Sequence, residues 1–493
     1  MQVISPTSGW LMLAVFGIAF GLIVHYATRR TLIDKDEYLV ASRKVGLVRG
    51  AFSISATWIW APALFVAAAQ GYMHGWVGVF WFSLFNILVL AMYGWFAKRI
   101  REQFPEGYTI SAVTRERYSS RTQLIYAIAF VAIGTCGFAV QLLAGGLVVS
   151  ALTGIPFWMI TVALALIVLG YSLRSGLAAN IVTDWLQMWI IGLVTVGLAV
   201  TVVYLAGWGT FTDGLGGISG EYSSLITGAG GALFWTFGIP TSIAMFSGPF
   251  VGQTYWQRTF AMRKDRVAPA FYLAAAIFAI VPLGMGIIGI TVAGAGLPVD
   301  DPQLTNLAAV LNWMPLWVVV PFLLYVFSGL ASSLSSMLAA VSSVFGHDAV
   351  MQFGGSYEDS LKWARRSMIV LTVGGIAIAN LPGLTILSLW FFYGTIRAAI
   401  TVPSIAMILS RRPLHEPSVF WGILVSLAVW LPVAGYAVIS GGGMWQTYSL
   451  VGILAFSGTA TLLGSRIAES RGLLTRPQPS GVPVEAMETD GRV

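Results

Sequence analysis

Residues 328–348 read SGLASSLSSMLAAVSSVFGHD, with seven serines in a run otherwise dominated by Leu, Ala, Val, Met and Phe. Gly329, Ser332, Ser333 and Ser336 follow i, i+3, i+4, i+7 spacing, which is one stripe of a helix, with Ser335 at its margin. The chemistry open to such a stripe is that of neutral oxygen. Hydroxyls, joined by a carbonyl freed near Gly329, can replace part of the water shell of a monovalent cation such as sodium, and no charge on the helix is needed. Small residues also let membrane helices approach closely, and serine bonds back to the carbonyl a turn earlier. That packing role suffices for any single serine here; the stripe as a whole becomes an ion site only if a second helix brings freed carbonyls against it.

The second apolar segment is a candidate for that partner. It reads AFSISATWIWAPALFVAAAQG, with Ser53, Ser55, Thr57 and Pro62. The seventh reads FWTFGIPTSIAMFSGPFVGQTYW, with Gly238, Pro240, Gly248, Pro249 and Gly252. A proline inside a helix removes one hydrogen bond and crowds the preceding turn. In lipid, the carbonyl it frees needs a partner, and a cation is one. Each segment alone reads better as a simple kink, because Gly and Pro are common in membrane helices. Together, starting on opposite sides of the bilayer, they match inverted-repeat transporters, whose broken helices hold substrate and ions near the midplane. Asp184, in LRSGLAANIVTDWLQMW, adds a carboxylate near the inner end of the sixth segment. An intramembrane acid is expensive and points to function, unless it reaches water at the helix end.

The elements that must position these residues are membrane helices. The 493-residue chain is 57% hydrophobic and 10% charged, against about 25% charged in soluble domains, and its mean hydropathy is +0.81. Thirteen apolar segments are expected to span, at roughly 10–27, 47–72, 76–97, 122–152, 156–173, 180–207, 230–256, 267–293, 315–346, 364–380, 384–409, 417–438 and 447–465. A span takes about 20 apolar residues; 364–380 is the weakest, and 122–152 and 315–346 are overlong, so they should tilt or protrude. With the N-terminus outside, the inner loops hold Arg29, Arg30, Lys35, Arg43, Lys44, Arg49, the stretch 98–121, Arg174, the stretches 258–266 and 362–366, Arg411, Arg412 and the C-terminal arginines. The outer loops carry Asp213, Glu221, Asp300 and Asp301, and every basic residue except Arg397 falls inside. That asymmetry predicts an external N-terminus and a cytoplasmic C-terminus. It also explains the net charge of +7 as sidedness, with no call for nucleic acid. A single cysteine, Cys136, excludes an intramolecular disulfide and a cysteine-based metal cluster. The leader lacks Lys and Arg, and HYATRR follows the first segment, so a cleaved signal peptide is not expected. Residues 106–118 read as a short amphipathic helix capped by Thr109, 300–313 as a similar piece outside, and the Pro-rich tail 473–493 as a disordered cytoplasmic extension.

These residues carry a family resemblance. SGLAANIVTDWLQ resembles the Gly-Leu…Thr-Asp…Gln signature of the sodium/solute symporter family, SSLSSMLAAVSSVFGHD its ninth helix, and YWQRT (255–259) the end of its seventh; the resemblance covers about residues 5–465. TWIWAPAL and YWQRT, with QLLAGGLVVSALTG (141–154), are most similar to the branch that contains urea active transporters. The resemblance implies an all-α membrane protein of the leucine-transporter-type fold, with 13 transmembrane helices: a 5+5 inverted repeat, one extra N-terminal and two extra C-terminal helices. It implies one transporter domain over residues 1–472, with repeats at about 47–207 and 230–410. Carried over by position, the common sodium site uses carbonyls of Ala56, Ile59 and Gly329 and hydroxyls of Ser332 and Ser333. A second sodium site, present in some members, maps to Asp184, Ser332, Ser335 and Ser336.

Where sugar- or proline-transporting relatives place a polar ligand in the second helix, this chain has Trp58 and Trp60. A small, flat or partly apolar solute fits that substitution, with Ser83, Asn86 and Gln253 as polar contacts and Tyr255 as a further wall. Arg397 lies mid-segment, on the helix that lines the substrate cavity in the family. Arginine suits bidentate carboxylate binding, so the solute is expected to be urea-like or a small carboxylate; a structural ion pair and snorkelling are the other readings of Arg397. The expected function is sodium-coupled symport of a small organic solute by alternating access, with Na+ as coupling ion, in a bacterial inner membrane, a monomer sufficing. A proton-coupled carrier working through Asp184, a solute sensor and a passive channel are the alternatives. No His-Glu-x-x-His motif and no nucleotide-binding glycine loop support an enzyme.

Overall fold

The computed structural model describes residues 3–28, 35–348, 356–410 and 412–474. Among them the chain is helical apart from connections, with one isolated bridge between Val45 and Met262. The first part holds α1 (Pro6–Thr28), α2 (Lys35–Val40), α3 (Leu47–Trp58), α4 (Ala67–Gln103), α5 (Ile110–Arg117), α6 (Ser120–Thr153) and α7 (Phe157–Ala206). The middle holds α8 (Trp208–Asp213), α9 (Gly228–Leu233), α10 (Ile239–Val251), α11 (Gln253–Ala261), α12 (Val267–Gly294), α13 (Thr305–Trp313) and α14 (Val319–Ser343). The last part is α15 (Tyr357–Ala379), α16 (Ile386–Leu409), α17 (Glu416–Ile439) and α18 (Met444–Ser470).

Each of the thirteen apolar segments falls on helix, but ten helical runs among the described residues are long and apolar enough to cross a membrane. The three that fall short have separate reasons. Segment 47–72 is divided, α3 having 12 residues and the rest joining the run Pro62–Gln103. Phe157–Leu173 is a shorter apolar helix. Segment 364–380 lies in α15, whose first turns are polar and begin with a Ser356–Asp359 capping box.

Two long helices bend at glycine. Gly75 in α4 and Gly176 in α7 both take φ +56° and ψ −146°, a region open mainly to glycine. A Cβ on Gly176 would lie 2.3 Å from the Tyr38 carbonyl oxygen, so α2 packs directly on this bend. The bend re-aims the second half of α7, which carries Asp184. The backbones of α4 and α12 touch where a Cβ on Gly289 would meet the Ala68 carbonyl oxygen at 2.0 Å. The apolar run containing α14 is 83% buried, whereas that of α1 is 28% buried; the serine helix is central and α1 peripheral.

Expectations for the shorter pieces divide. Thr109 does cap α5, accepting from Ala112 N at 2.9 Å, although the helix begins at Ile110 and not near residue 106. Residues 302–304 form a 3-10 turn that leads into α13. The tail from residue 475, together with Arg29, Arg30 and Arg411, lies outside the described residues.

Candidate ion and solute site

The break in the second segment is local in origin. α3 stops at Trp58 because Ile59 leaves the helical region (φ −82°, ψ 87°), and Pro62 brings no N–H to the next turn. Helix resumes as a wide π turn over Pro62–Val66. The backbone N–H of Ala61, stranded at the break, donates to Gln141 Oε1 at 2.8 Å. Opposite, Ser333 Oγ is 3.2 Å from the Ile59 carbonyl oxygen and 3.4 Å from that of Thr57. One hydroxyl proton cannot serve two carbonyls well, whereas a cation placed among the three oxygens attracts all of them. Gly329 packs under the Leu64 side chain, whose Cδ1 would lie 2.8 Å from a Cβ there.

The structure therefore brings Ser333 and Ile59 together and adds the Thr57 carbonyl, which sequence reasoning had not named. Ala56 and Gly329 are buried on the same two elements. Ser332 turns away: its hydroxyl donates to Asp184 Oδ1 at 2.5 Å.

Asp184 Oδ2 accepts from Ser53 Oγ at 2.6 Å and from Arg258 Nη2 at 3.0 Å. The same guanidinium donates to Ser53 Oγ (3.0 Å), Ser336 Oγ (2.8 Å) and the Thr254 carbonyl oxygen (3.1 Å). Having accepted from Arg258, Ser336 has its proton free for Thr57 Oγ1 at 3.0 Å. The pair is sealed from solvent, Arg258 being 2% and Asp184 0% exposed. Taking both charges out of water is costly, and only such complete hydrogen bonding offsets it.

This corrects the reading of Arg258 as an inner-loop cation. The helix is lost at Gly252 (φ −79°, ψ 112°), and α11 then turns Arg258 inward. Of the five residues expected to interrupt the seventh segment, Gly252 does so: helix passes through Pro240 and Pro249, with a π stretch at Phe234–Gly238, and breaks at Gly252. The residues mapped to a second sodium site, Asp184, Ser332 and Ser336, do converge, but around a guanidinium. The fourth, Ser335, bonds back to the Ser332 carbonyl at 3.1 Å. The signal for Arg258 was Asp184 itself, since a carboxylate in an apolar segment demands a partner. Gln141, a lone amide within an apolar run, was missed for the same reason.

Beside the break lies a cavity of about 20 Å³, walled by Trp58, Trp60, Tyr255, Ser333, Met337 and Arg397 among others. Tyr255 meets Trp58 edge-on, ring centroids 5.3 Å apart. Three polar contacts expected of a solute are placed otherwise. Ser83 and Asn86 do not line this cavity; the Asn86 carbonyl oxygen accepts from Trp58 Nε1 at 3.1 Å, behind the indole. Gln253 is engaged three times, accepting from Ile110 N (2.9 Å) and donating to the Tyr108 carbonyl oxygen (3.1 Å) and Ser343 Oγ (2.9 Å). It clips the α5 entry to the bundle and borders a second cavity, of about 40 Å³, that shares Thr254, Met337 and Arg397 with the first.

Residues 38–410 match the Sodium:solute symporter family. The Urea-proton symporter DUR3 of Oryza sativa subsp. japonica is 24% identical over 444 residues, 80% of this chain and 60% of that protein. The Probable urea active transporter 1 of Schizosaccharomyces pombe is 23% identical over 469 residues, 85% of this chain and 70% of that one. The chain thus spans about 60% of the length of the rice relative. Among solved structures, the substrate-bound outward-open state of a Na+-coupled sialic acid symporter aligns with a TM-score of 0.78 at 18% identity, covering 93% of this chain and 98% of the other. At that identity the likeness is one of fold.

Proposed function

Because this chain belongs to the sodium:solute symporter family, we propose that it imports a small organic solute with sodium by alternating access. The observation that carries the ion reading is Ser333 poised between the carbonyls of Thr57 and Ile59 at a helix break. A sodium ion there would take those three oxygens, with Ala56, Gly329 and Ser332 completing the set on small rearrangement. Binding would pin broken α3 to α14 and so order the adjoining cavity.

The cycle is proposed to move one sodium. Arg258 already neutralises Asp184, so a second ion among Asp184, Ser332, Ser335 and Ser336 would face a like charge; at 4 Å that repulsion is about 4 kcal/mol at an effective dielectric constant near 20. One elementary charge moving down about 100 mV releases about 2.3 kcal/mol, roughly fifty-fold accumulation of a neutral solute at 1.4 kcal/mol per tenfold. The proposed layout keeps thirteen spans as a 5+5 inverted repeat with one extra N-terminal and two extra C-terminal helices, in an inner membrane with the C-terminus cytoplasmic. A monomer carries the whole site.

A second reading, proton coupling, is favoured by the buried carboxylate of Asp184 and by the name of the rice relative. Uptake of labelled solute into proteoliposomes separates the two. Replacing external sodium by potassium or choline at constant pH is expected to abolish accumulation; full uptake without sodium, driven by a pH gradient, would reject sodium coupling. Flux that does not saturate would instead indicate a channel.

A further inference from the structure

Two arginines lie inside the described bundle near the break, and they differ in one respect. Arg258 has a carboxylate and a full set of acceptors. Arg397, 8% exposed, has no acidic side chain in ion-pair contact, and its Nε has no hydrogen-bond partner among the described residues. Its guanidinium stacks on Tyr393, 4.5 Å from the ring centroid. Gly248 makes the room, since a Cβ there would lie 2.7 Å from the Trp58 ring and 3.6 Å from Arg397 Nη1. Arginine stays charged in proteins, and a buried unpaired charge is strongly unfavourable. An anionic group brought to this place would complete the pairing that Arg258 already has.

A neighbouring group repeats the demand. Trp60 lines the same cavity, and its Nε1 is buried with no acceptor among the described residues; an indole N–H can only donate. The rest of the wall is mainly aromatic or apolar, in Trp58, Tyr255 and Met337, joined by Thr57 and Thr254, and the Thr57 hydroxyl is already taken by Ser336. A guanidinium together with aromatic ring faces suits a ligand with one anionic head and a short apolar body. Ser333, the hydroxyl of the ion site, borders the same cavity, so a cation there and an anion at Arg397 would attract one another and bind cooperatively. The cavity, at about 20 Å³, is one water in size; a second cavity of about 40 Å³ shares Met337 and Arg397 with it, and a solute of a few heavy atoms would need the space of both.

We propose that the solute is a small unhydroxylated monocarboxylate, its carboxylate held by Arg397 and its apolar body packed between Trp58, Trp60 and Tyr255. This rests on the carrier reading above and narrows it to a substrate class.

The test uses the purified full chain in a sodium buffer, with acetate, propionate and pyruvate set against acetamide, propionamide and urea. Thermal stabilisation and competition for uptake of labelled propionate into proteoliposomes are the readouts. Carboxylates are expected to bind at least about tenfold more tightly than their amides, the loss anticipated when a charged hydrogen bond is removed. R397Q should abolish that preference, and R397K should restore part of it. The comparison of carboxylate with amide in the unmodified chain stands even if R397Q fails to fold. Urea or an amide binding as well as its carboxylate, with sodium-dependent uptake, would overturn the substrate class and leave the carrier reading standing. An R397Q protein that still prefers carboxylates would overturn the role of Arg397. Uptake of every probe that does not saturate would instead reject the carrier reading, and the inference with it.

Discussion

Arg258 Nη2 sits 3.0 Å from Asp184 Oδ2, joining the second half of α7 to α11 through a pair sealed from solvent. Breaking a buried pair from one side leaves an uncompensated charge, worth about 3–5 kcal/mol. R258Q is therefore expected to lower the unfolding free energy by about that amount. R258Q with D184N, which leaves two neutral amides, should lose clearly less than the sum of the single variants. Denaturant melts in detergent would measure it, and strict additivity would show that the two side chains are not coupled.

The two adjacent serines of α14 should separate. Ser333 makes only long contacts, at 3.2 and 3.4 Å, so S333A is expected to keep nearly normal stability while raising the sodium needed for half-maximal uptake by about tenfold or more, as for a lost ligand to a charged group. S332A removes the bond to Asp184 and should also destabilise. Sodium titrations monitored by melting temperature and by uptake would distinguish them. Unchanged sodium dependence in the S332A/S333A double variant would remove the proposed ion site.

G176A is expected to disrupt α7. The positive φ imposes strain of about 1–3 kcal/mol on a residue with a side chain, and the Cβ would press on the Tyr38 carbonyl oxygen at 2.3 Å. Gly170, on the same helix with open space around its Cα, is the control. G170A should be neutral or should stabilise by about 0.4–1 kcal/mol. Equal melting temperatures for the two variants would contradict the bend.

Q253A probes the clip between α11 and the entry to α5. It strands the Ile110 N–H, worth about 1–3 kcal/mol when buried without a partner. Lower stability and faster proteolysis near residues 104–110 are expected, with the half-saturating solute concentration little changed. A large change in that concentration at wild-type stability would make Gln253 a solute contact after all.

Charge per cycle follows from combining one sodium with one monocarboxylate, which moves no net charge. A potassium diffusion potential of about 100 mV across proteoliposomes should then leave carboxylate accumulation unaltered, where one uncompensated charge would change it roughly fifty-fold. A clear response to voltage would mean that a second cation travels.

Much of this was written along the chain. Hydropathy and composition establish a membrane bundle, because about 20 apolar residues cannot remain in water. Pro62, with no N–H to donate, marks the break in the second segment. The spacing of Gly329, Ser332, Ser333 and Ser336 declares a hydroxyl stripe, since a helix repeats every 3.6 residues. Gly75 and Gly176 fall in the gaps between apolar segments. Each of these is a property of one stretch of backbone. Where each partner stands is a different matter. Asp184 meets Arg258 across 74 residues and Ser53 across 131, and only the turn at Gly252 swings Arg258 from the expected cytoplasmic edge into the bundle. Periodicity tells which face a residue occupies on its own helix; which charge or oxygen lies opposite depends on how helices distant in sequence pack. That packing alone decided that, among the described residues, Arg258 has a carboxylate partner and Arg397 has none.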